Sequence, residues 1–143
     1  NITKEMAKEF FIFAVQRNPW DRFVSLWNYW KNKRKIINLS FEEFCVSDFK
    51  TVLPESESKH LLQQVQLNNQ PDFVNVDFWV KYESLQKDYD RVCSHLGLSY
   101  DQILPHINSS KQTRHYKSYY TPELKEIIGE RFKEDIEFFG YEF

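Results

Sequence analysis

The sequence predicts an α/β domain built on a parallel sheet flanked by helices, and three observations carry that prediction. Residues 10–15, FFIFAV, form a short unbroken apolar run, the pattern of a strand covered on both faces. A second run rich in β-formers, VDFWVKY, occupies residues 76–82. Helical periodicity fills much of the chain between and after these runs, and strands separated by helices pair in parallel. Two strands are too few for a stable sheet. Further strands are therefore expected either in the segments read as loops or outside this chain.

Composition fits one core. The 143 residues, 41% hydrophobic and 17% aromatic, suit a single domain over residues 1–143 without repeat or linker. Global disorder is excluded on the same grounds. A formal charge of −2 excludes a protein that coats nucleic acid, so any phosphate site must be a local cluster. Cys45 and Cys93 fall on the apolar faces of expected helices and are read as reduced core residues. His60, His95, His106 and His115 are scattered without metal-ligand spacing, so no metal is expected. No apolar run reaches transmembrane length and the start is not a signal peptide, which makes the cytoplasm the default compartment. A Golgi-lumenal setting would require an upstream anchor. The triplets at Asn1, Asn38 and Asn108 resemble glycosylation acceptors, but a chain rich in Asn and Ser produces them by chance.

Local signals place the elements in order. Arg17 closes the first apolar run, Asn18 offers an N-cap, Pro19 suits the first helical position, and Asp21 suits the positive helix start. The helix is expected over residues 18–33. At about 100° per residue, Trp20, Phe23, Val24, Trp27 and Trp30 share one side, and Asn18, Arg22, Ser25 and Tyr29 the other. Arg22 and Ser25 are thus expected on an exposed polar face. The basic run KNKRK at 31–35 suits the negative helix end; attraction of an anionic glycan is an alternative use. Ser40 and Glu43 form a capping box for a helix near 41–49. Residues 50–59 read as a loop and 60–67 as a short helix. After the second strand, Glu83 is expected to accept N–H bonds at a helix start. Ser84 is expected to cap that helix, with Leu85, Tyr89, Val92, Cys93 and Leu96 on one face and Gly97 at its end. Residues 104–120 form the longest irregular stretch. Thr121-Pro122 opens a last helix with Leu124, Ile127, Ile128, Ile136 and Phe139 inward, stopped by Gly140.

The junction after the first strand carries the chemistry. Ligands of open parallel sheets sit outside the carboxyl ends of strands, where Arg17 stands. The helix start beyond it presents N–H groups and positive potential to an anion. Arg17 and Arg22 supply planar forks for phosphate oxygens, and the Ser25 hydroxyl supplies another donor. Ser25 stands roughly 10 Å along the helix at about 1.5 Å per residue, so a phosphate touching both Arg17 and Ser25 lies beside the first two turns. By itself this pattern also fits a strand-closing arginine and an ordinary surface serine.

Quoted together, these segments resemble one family. VQRNPWDRFVSLW is similar to the 3′-phosphate-binding motif of the PAPS-dependent sulfotransferases, in which an arginine ending a strand and a serine eight residues later hold the donor's 3′-phosphate. VDFWVKYESLQKDYDRVCSHLGL is similar to that family's strand, Tyr-Glu-x-Leu and following helix. The stretch from LPHINSSKQ to the end, with its Asp135-Ile136-Glu137-Phe138-Phe139-Gly140-Tyr141 pattern, is similar to the carbohydrate-type and bacterial members. The resemblance implies a P-loop-NTPase-like sulfotransferase fold and sulfuryl transfer from PAPS to a hydroxyl or amine of an acceptor, a glycan or small molecule. It implies that Arg17 and Ser25 hold the 3′-phosphate, and Arg22, read from its planar donors, is expected to assist. It also implies that a loop containing Asn108, Ser110, Lys111 and Thr113 closes over the nucleotide. The family's phosphosulfate loop, which needs a lysine, a glycine and Ser or Thr, has no counterpart in this sequence. The resemblance therefore covers the C-terminal two thirds of the family pattern, the fold is expected to be incomplete in this chain, and a partner segment would supply the missing loop. No catalytic residue is assigned. The alternative is a non-catalytic nucleotide-binding or protein-interaction module derived from the same fold.

Overall fold

The structure, a computed structural model, describes residues 9–61, 64–65, 76–99, 103–105 and 114–143. In chain order its main elements are β1 (Phe13–Gln16), α1 (Pro19–Asn28), α2 (Phe41–Val46), β2 (Phe78–Lys81), α3 (Leu85–His95), α4 (Pro122–Arg131) and α5 (Lys133–Phe139). The described residues fall in two compact units, the first within residues 1–17 and 64–107, the second within 18–63 and 108–143.

The first unit holds the sheet. β1 and β2 pair in parallel, in register from Phe13↔Phe78 to Gln16↔Lys81, as the α/β reading requires. Asp77 extends the ladder: its N–H donates to Ile12 O at 2.8 Å, and its carboxylate accepts from Ile12 N at 2.8 Å. β1 departs from expectation in its cover. Phe13 and Val15 are 41% and 43% exposed, so that face is only partly packed. Its neighbour there is α3, whose Tyr89 meets Phe13 edge-on with ring centres 6.4 Å apart. The apolar run reported a capacity for burial that two described strands and one helix do not fill.

Asp88 ties α3 to β2. Its buried carboxylate accepts from Lys81 N at 2.9 Å, from the Ser84 hydroxyl at 3.0 Å and from Arg91 at 3.0 Å. The Lys81 backbone bond is the largest influence holding this carboxyl below its ordinary value, against the opposing effect of burial. Ser84 thus donates to Asp88, and its side chain does not cap the helix as expected. Val92 and Cys93 are buried, whereas Leu96 lies beyond the last turn and is 44% exposed. Gly97, at φ +66°, takes the left-handed conformation that ends the helix.

The second unit contains the aromatic core. Phe23, fully buried on α1, lies between Phe44 at 5.2 Å, Phe49 at 5.6 Å, Phe41 at 5.9 Å and Phe132 at 6.1 Å, measured between ring centres. Each such side chain contributes about 1.5–3 kcal/mol by leaving water. The inward face read from the sequence is observed: Trp20, Phe23, Val24 and Trp30 are buried and Trp27 is half-buried. α1 gives way to a π-helical turn over Tyr29–Lys33, and buried Trp30 donates its indole N–H to Glu57 at 2.9 Å. The Ser40–Glu43 capping box opens α2, with reciprocal bonds of 3.1 and 2.7 Å.

Residues 50–59, expected as a loop, carry single helical turns at Phe49–Val52 and Glu55–Ser58. Turns this short are set by local caps such as Asp48, which accepts from Lys50 N at 3.0 Å, and leave no periodic signature. The expected final helix is broken at Phe132, which adopts φ −112° and ψ 27° and separates α4 from α5. Both Phe132 and the following Asp135 are buried. Leu124 and Ile128 point inward as expected, while Ile127 is 37% exposed. A Cβ on Gly129 would stand 3.3 Å from the Trp20 ring, so this glycine permits close packing of α4 on α1.

Candidate functional site

Arg17 directly follows β1, at the carboxyl end of the strand. Two neighbours help to set its position. Its backbone N–H donates to Gln64 Oε1 at 3.1 Å, and the Gln64 amide in turn donates to Val15 O at 2.8 Å. Its guanidinium carbon lies 4.2 Å from the centre of the Tyr82 ring. The register explains this stack: Gln16 pairs with Lys81, so one residue further on Arg17 and Tyr82 leave the sheet side by side. Gln64 has no signal of its own in the sequence, and Tyr82 stands there only as the first residue of the Tyr-Glu-x-Leu motif, with no role toward Arg17. The signal for Tyr82 was present in the two strand ends, but it needed the register to be read.

The helix beyond Arg17 begins as its sequence demands. Asn18 Oδ1 accepts from Trp20 N at 3.1 Å and Asp21 N at 3.4 Å, with Pro19 at the first helical position. Asn18 Nδ2 donates to Glu142 O at 3.0 Å, which fastens the end of the chain to the cap. Ser25 is half-buried on α1, and among the described residues no hydrogen bond engages its hydroxyl.

Arg22 is placed differently from the exposed face expected. Its guanidinium donates to Asp135 Oδ2 at 3.3 Å and to His60 O at 2.7 Å, and it lies 5.5 Å from the Phe132 ring centre. Its side chain is only 15% exposed and that of Asp135 is fully enclosed. A buried carboxylate needs a compensating cation, and Arg22 supplies it. Asp135 opens the Asp-Ile-x-x-Phe-Gly-Tyr pattern, and Gly140 near its end takes φ +67° to cap α5, with Tyr141 N donating to Ile136 O at 3.1 Å. Much of that C-terminal pattern is thus explained by packing.

Asn108, Ser110, Lys111 and Thr113 lie outside the described residues. Beyond them, Tyr116–Tyr119 form a 3-10 turn, and the Tyr120 hydroxyl donates to Trp20 O at 2.9 Å. Burial pushes the Tyr120 phenol far above its ordinary range, so it acts as a neutral donor. Cys45 is buried and its thiol is pushed up to about 12 by burial, which suits a core residue and not a thiolate nucleophile. The basic run after α1 lines a concavity of about 400 Å³ with Lys31, Asn32, Lys35, Ile37 and Asn38. Lys31 there donates to Leu39 O at 3.0 Å, and Arg34 pairs with Glu57 at 3.1 Å. Among the described residues no group of three or more His, Cys, Asp or Glu gathers as a metal site, and no helix is long and apolar enough to cross a membrane.

Comparison with known proteins bears on this arrangement. An uncharacterized protein of Archaeoglobus fulgidus is 30% identical over 117 residues, covering 81% of this chain and 91% of that protein. No solved structure matches. Residues 1–142 match the sulfotransferase family, which implies a sulfonate donor. An arginine at the end of a parallel strand, followed in sequence by a capped helix, fits that match, and this chain belongs to the sulfotransferase family.

Proposed function

We propose that the chain acts as one sulfotransferase-like domain whose strand-end site binds a 3′-phosphorylated adenine nucleotide, PAPS or its product. In this reading Arg17 and Ser25 hold the 3′-phosphate. The carrying observation is Arg17 itself, at the carboxyl end of a parallel strand, stacked on Tyr82 and followed at once by a capped helix. The guanidinium supplies a planar fork of charged donors, and the serine hydroxyl supplies a neutral one. Arg22 adds less, because Asp135 already neutralises it. Ser110, Lys111 and Thr113 would close over the adenosine side.

The donor, when bound, supplies an activated sulfuryl group. An acceptor hydroxyl or amine, on a glycan or small molecule, attacks the sulfur. The bond from sulfur to the 5′-phosphate oxygen breaks, adenosine 3′,5′-bisphosphate leaves, and the acceptor proton passes to a base. The protein's part is to position the donor and neutralise its charge.

A second reading, a nucleotide-binding module without transfer activity of its own, is favoured by the glycines. Gly97 and Gly140 end helices and Gly129 packs against Trp20, which leaves none of the three to form a phosphate-cradling loop. Titration calorimetry with adenosine 3′,5′-bisphosphate tests the binding common to both readings. Saturable heat is expected, weakened more than about tenfold by Arg17→Ala, since a charge-assisted phosphate contact is removed. No heat from the intact chain would overturn both. Transfer of labelled sulfate from PAPS onto an acceptor then separates enzyme from module.

A further inference from the structure

We infer that Tyr82 and Gln64 are positioning residues for Arg17: one holds its guanidinium and the other its backbone. The inference rests on the proposed role of Arg17 in binding the nucleotide phosphate, and it adds residues that act through the arginine.

The side-chain part follows from the stack. An arginine at a strand end has many rotamers, and ordering it for a ligand costs affinity. The Tyr82 ring, 4.2 Å below the guanidinium carbon, attracts the cation through its π face. Guanidinium donors point outward in the plane of the group, so a partner on the flat face restrains that plane without using the donors. Tyr82 begins the 3-10 turn Tyr82–Ser84 and is 39% exposed, so part of its surface stays in water while its face braces the arginine.

The backbone part follows from the strand edge. Phe78 N donates to Ile12 O at 3.3 Å, so the even-numbered residues of β1 direct their backbone groups toward β2. Val15 and Arg17 direct theirs to the opposite edge. There the Gln64 amide accepts from Arg17 N–H and donates to Val15 C=O. One residue of an adjoining parallel strand would make the same pair of bonds across Gln16. A single side-chain amide therefore continues the sheet by one rung at the residue that must be fixed. A glutamate in its place would keep the acceptor for Arg17 N–H and lose the donor for Val15 C=O.

The test uses the full chain and the variants Tyr82→Phe, Tyr82→Leu, Gln64→Glu, and Tyr82→Leu combined with Arg17→Ala. Adenosine 3′,5′-bisphosphate and adenosine 5′-monophosphate, which lacks the 3′-phosphate, are titrated in parallel. Tyr82→Leu and Gln64→Glu are expected to weaken the bisphosphate about two- to fivefold and leave the monophosphate unchanged. Tyr82→Phe keeps the π face and retains wild-type affinity. Tyr82→Leu has no further effect once Arg17 is alanine. Equal losses for the two nucleotides, or a phenylalanine variant as weak as the leucine one, would overturn the inference. The NMR order parameter of Arg17 Nε–H, recorded without nucleotide, is expected to fall in Tyr82→Leu and Gln64→Glu; an unchanged value overturns the inference whatever the titrations show. If instead the order parameter falls but the intact chain binds no bisphosphate, the nucleotide reading fails while the bracing of Arg17 stands.

Discussion

Arg17 and Arg22 are near neighbours in sequence with opposite surroundings. Arg17 ends a strand, its guanidinium over a ring that is 39% exposed. Arg22 is 15% exposed and tied to a fully enclosed carboxylate and to a backbone carbonyl. The charge is the same, but the surroundings differ: one guanidinium lies over a partly exposed ring, and the other serves the packing of its own unit. An arginine's role is therefore decided by the cost of removing its partner from water. Asp135, fully enclosed, would lose a pairing cation without Arg22, whereas Tyr82 is partly exposed and loses little without Arg17.

Unfolding measurements can break this comparison, and the largest effect belongs to the buried pair. Arg22→Ala should destabilise the protein by about 3–5 kcal/mol in urea, because the enclosed Asp135 loses the guanidinium that pairs with it. Arg17→Ala should cost less, because the ring under its guanidinium is 39% exposed. Equal losses would mean that both arginines are structural.

The next effect sharpens the contrast between the enclosed carboxylates. Asp88→Asn should cost about 1–3 kcal/mol through weakened bonds to Lys81 N, Ser84 and Arg91. The sign of its pH dependence follows from its lowered folded-state value. Asp88 binds its proton more readily in the unfolded chain, so its contribution is complete above the ordinary carboxylate range and is lost as pH falls through the lower folded value. Acid unfolding of wild type and Asp88→Asn should converge there; a constant difference down to the lowest pH would refute this. The smallest effect is at the cap: Asn18→Ala should cost about 1 kcal/mol of thermal stability by releasing the first N–H groups of α1.

What could be read from the residues alone followed from short-range rules. The Asn18-Pro19 start, the Ser40–Glu43 box, the buried face of α1 and the glycine stops at Gly97 and Gly140 all obey local backbone chemistry, and all are present. The parallel pairing followed from the alternation of strands and helices. The short turns in residues 50–59 and the break at Phe132 escaped because they lack periodicity, or because the core overrides it. Arg22 was misplaced for a related reason: helix phase gives a direction, but it does not reveal a carboxylate more than a hundred residues away.

By itself the sequence determined that this chain is α/β, where its first helix begins, and that an arginine stands at a strand end, because these depend on neighbours along the chain. The tertiary structure alone decided which arginine is consumed by Asp135 and which rests on Tyr82, and that Gln64 continues the sheet edge at Arg17. Those outcomes depend on strand register and on residues far apart in sequence, and register is a property of the assembled sheet that no single segment carries.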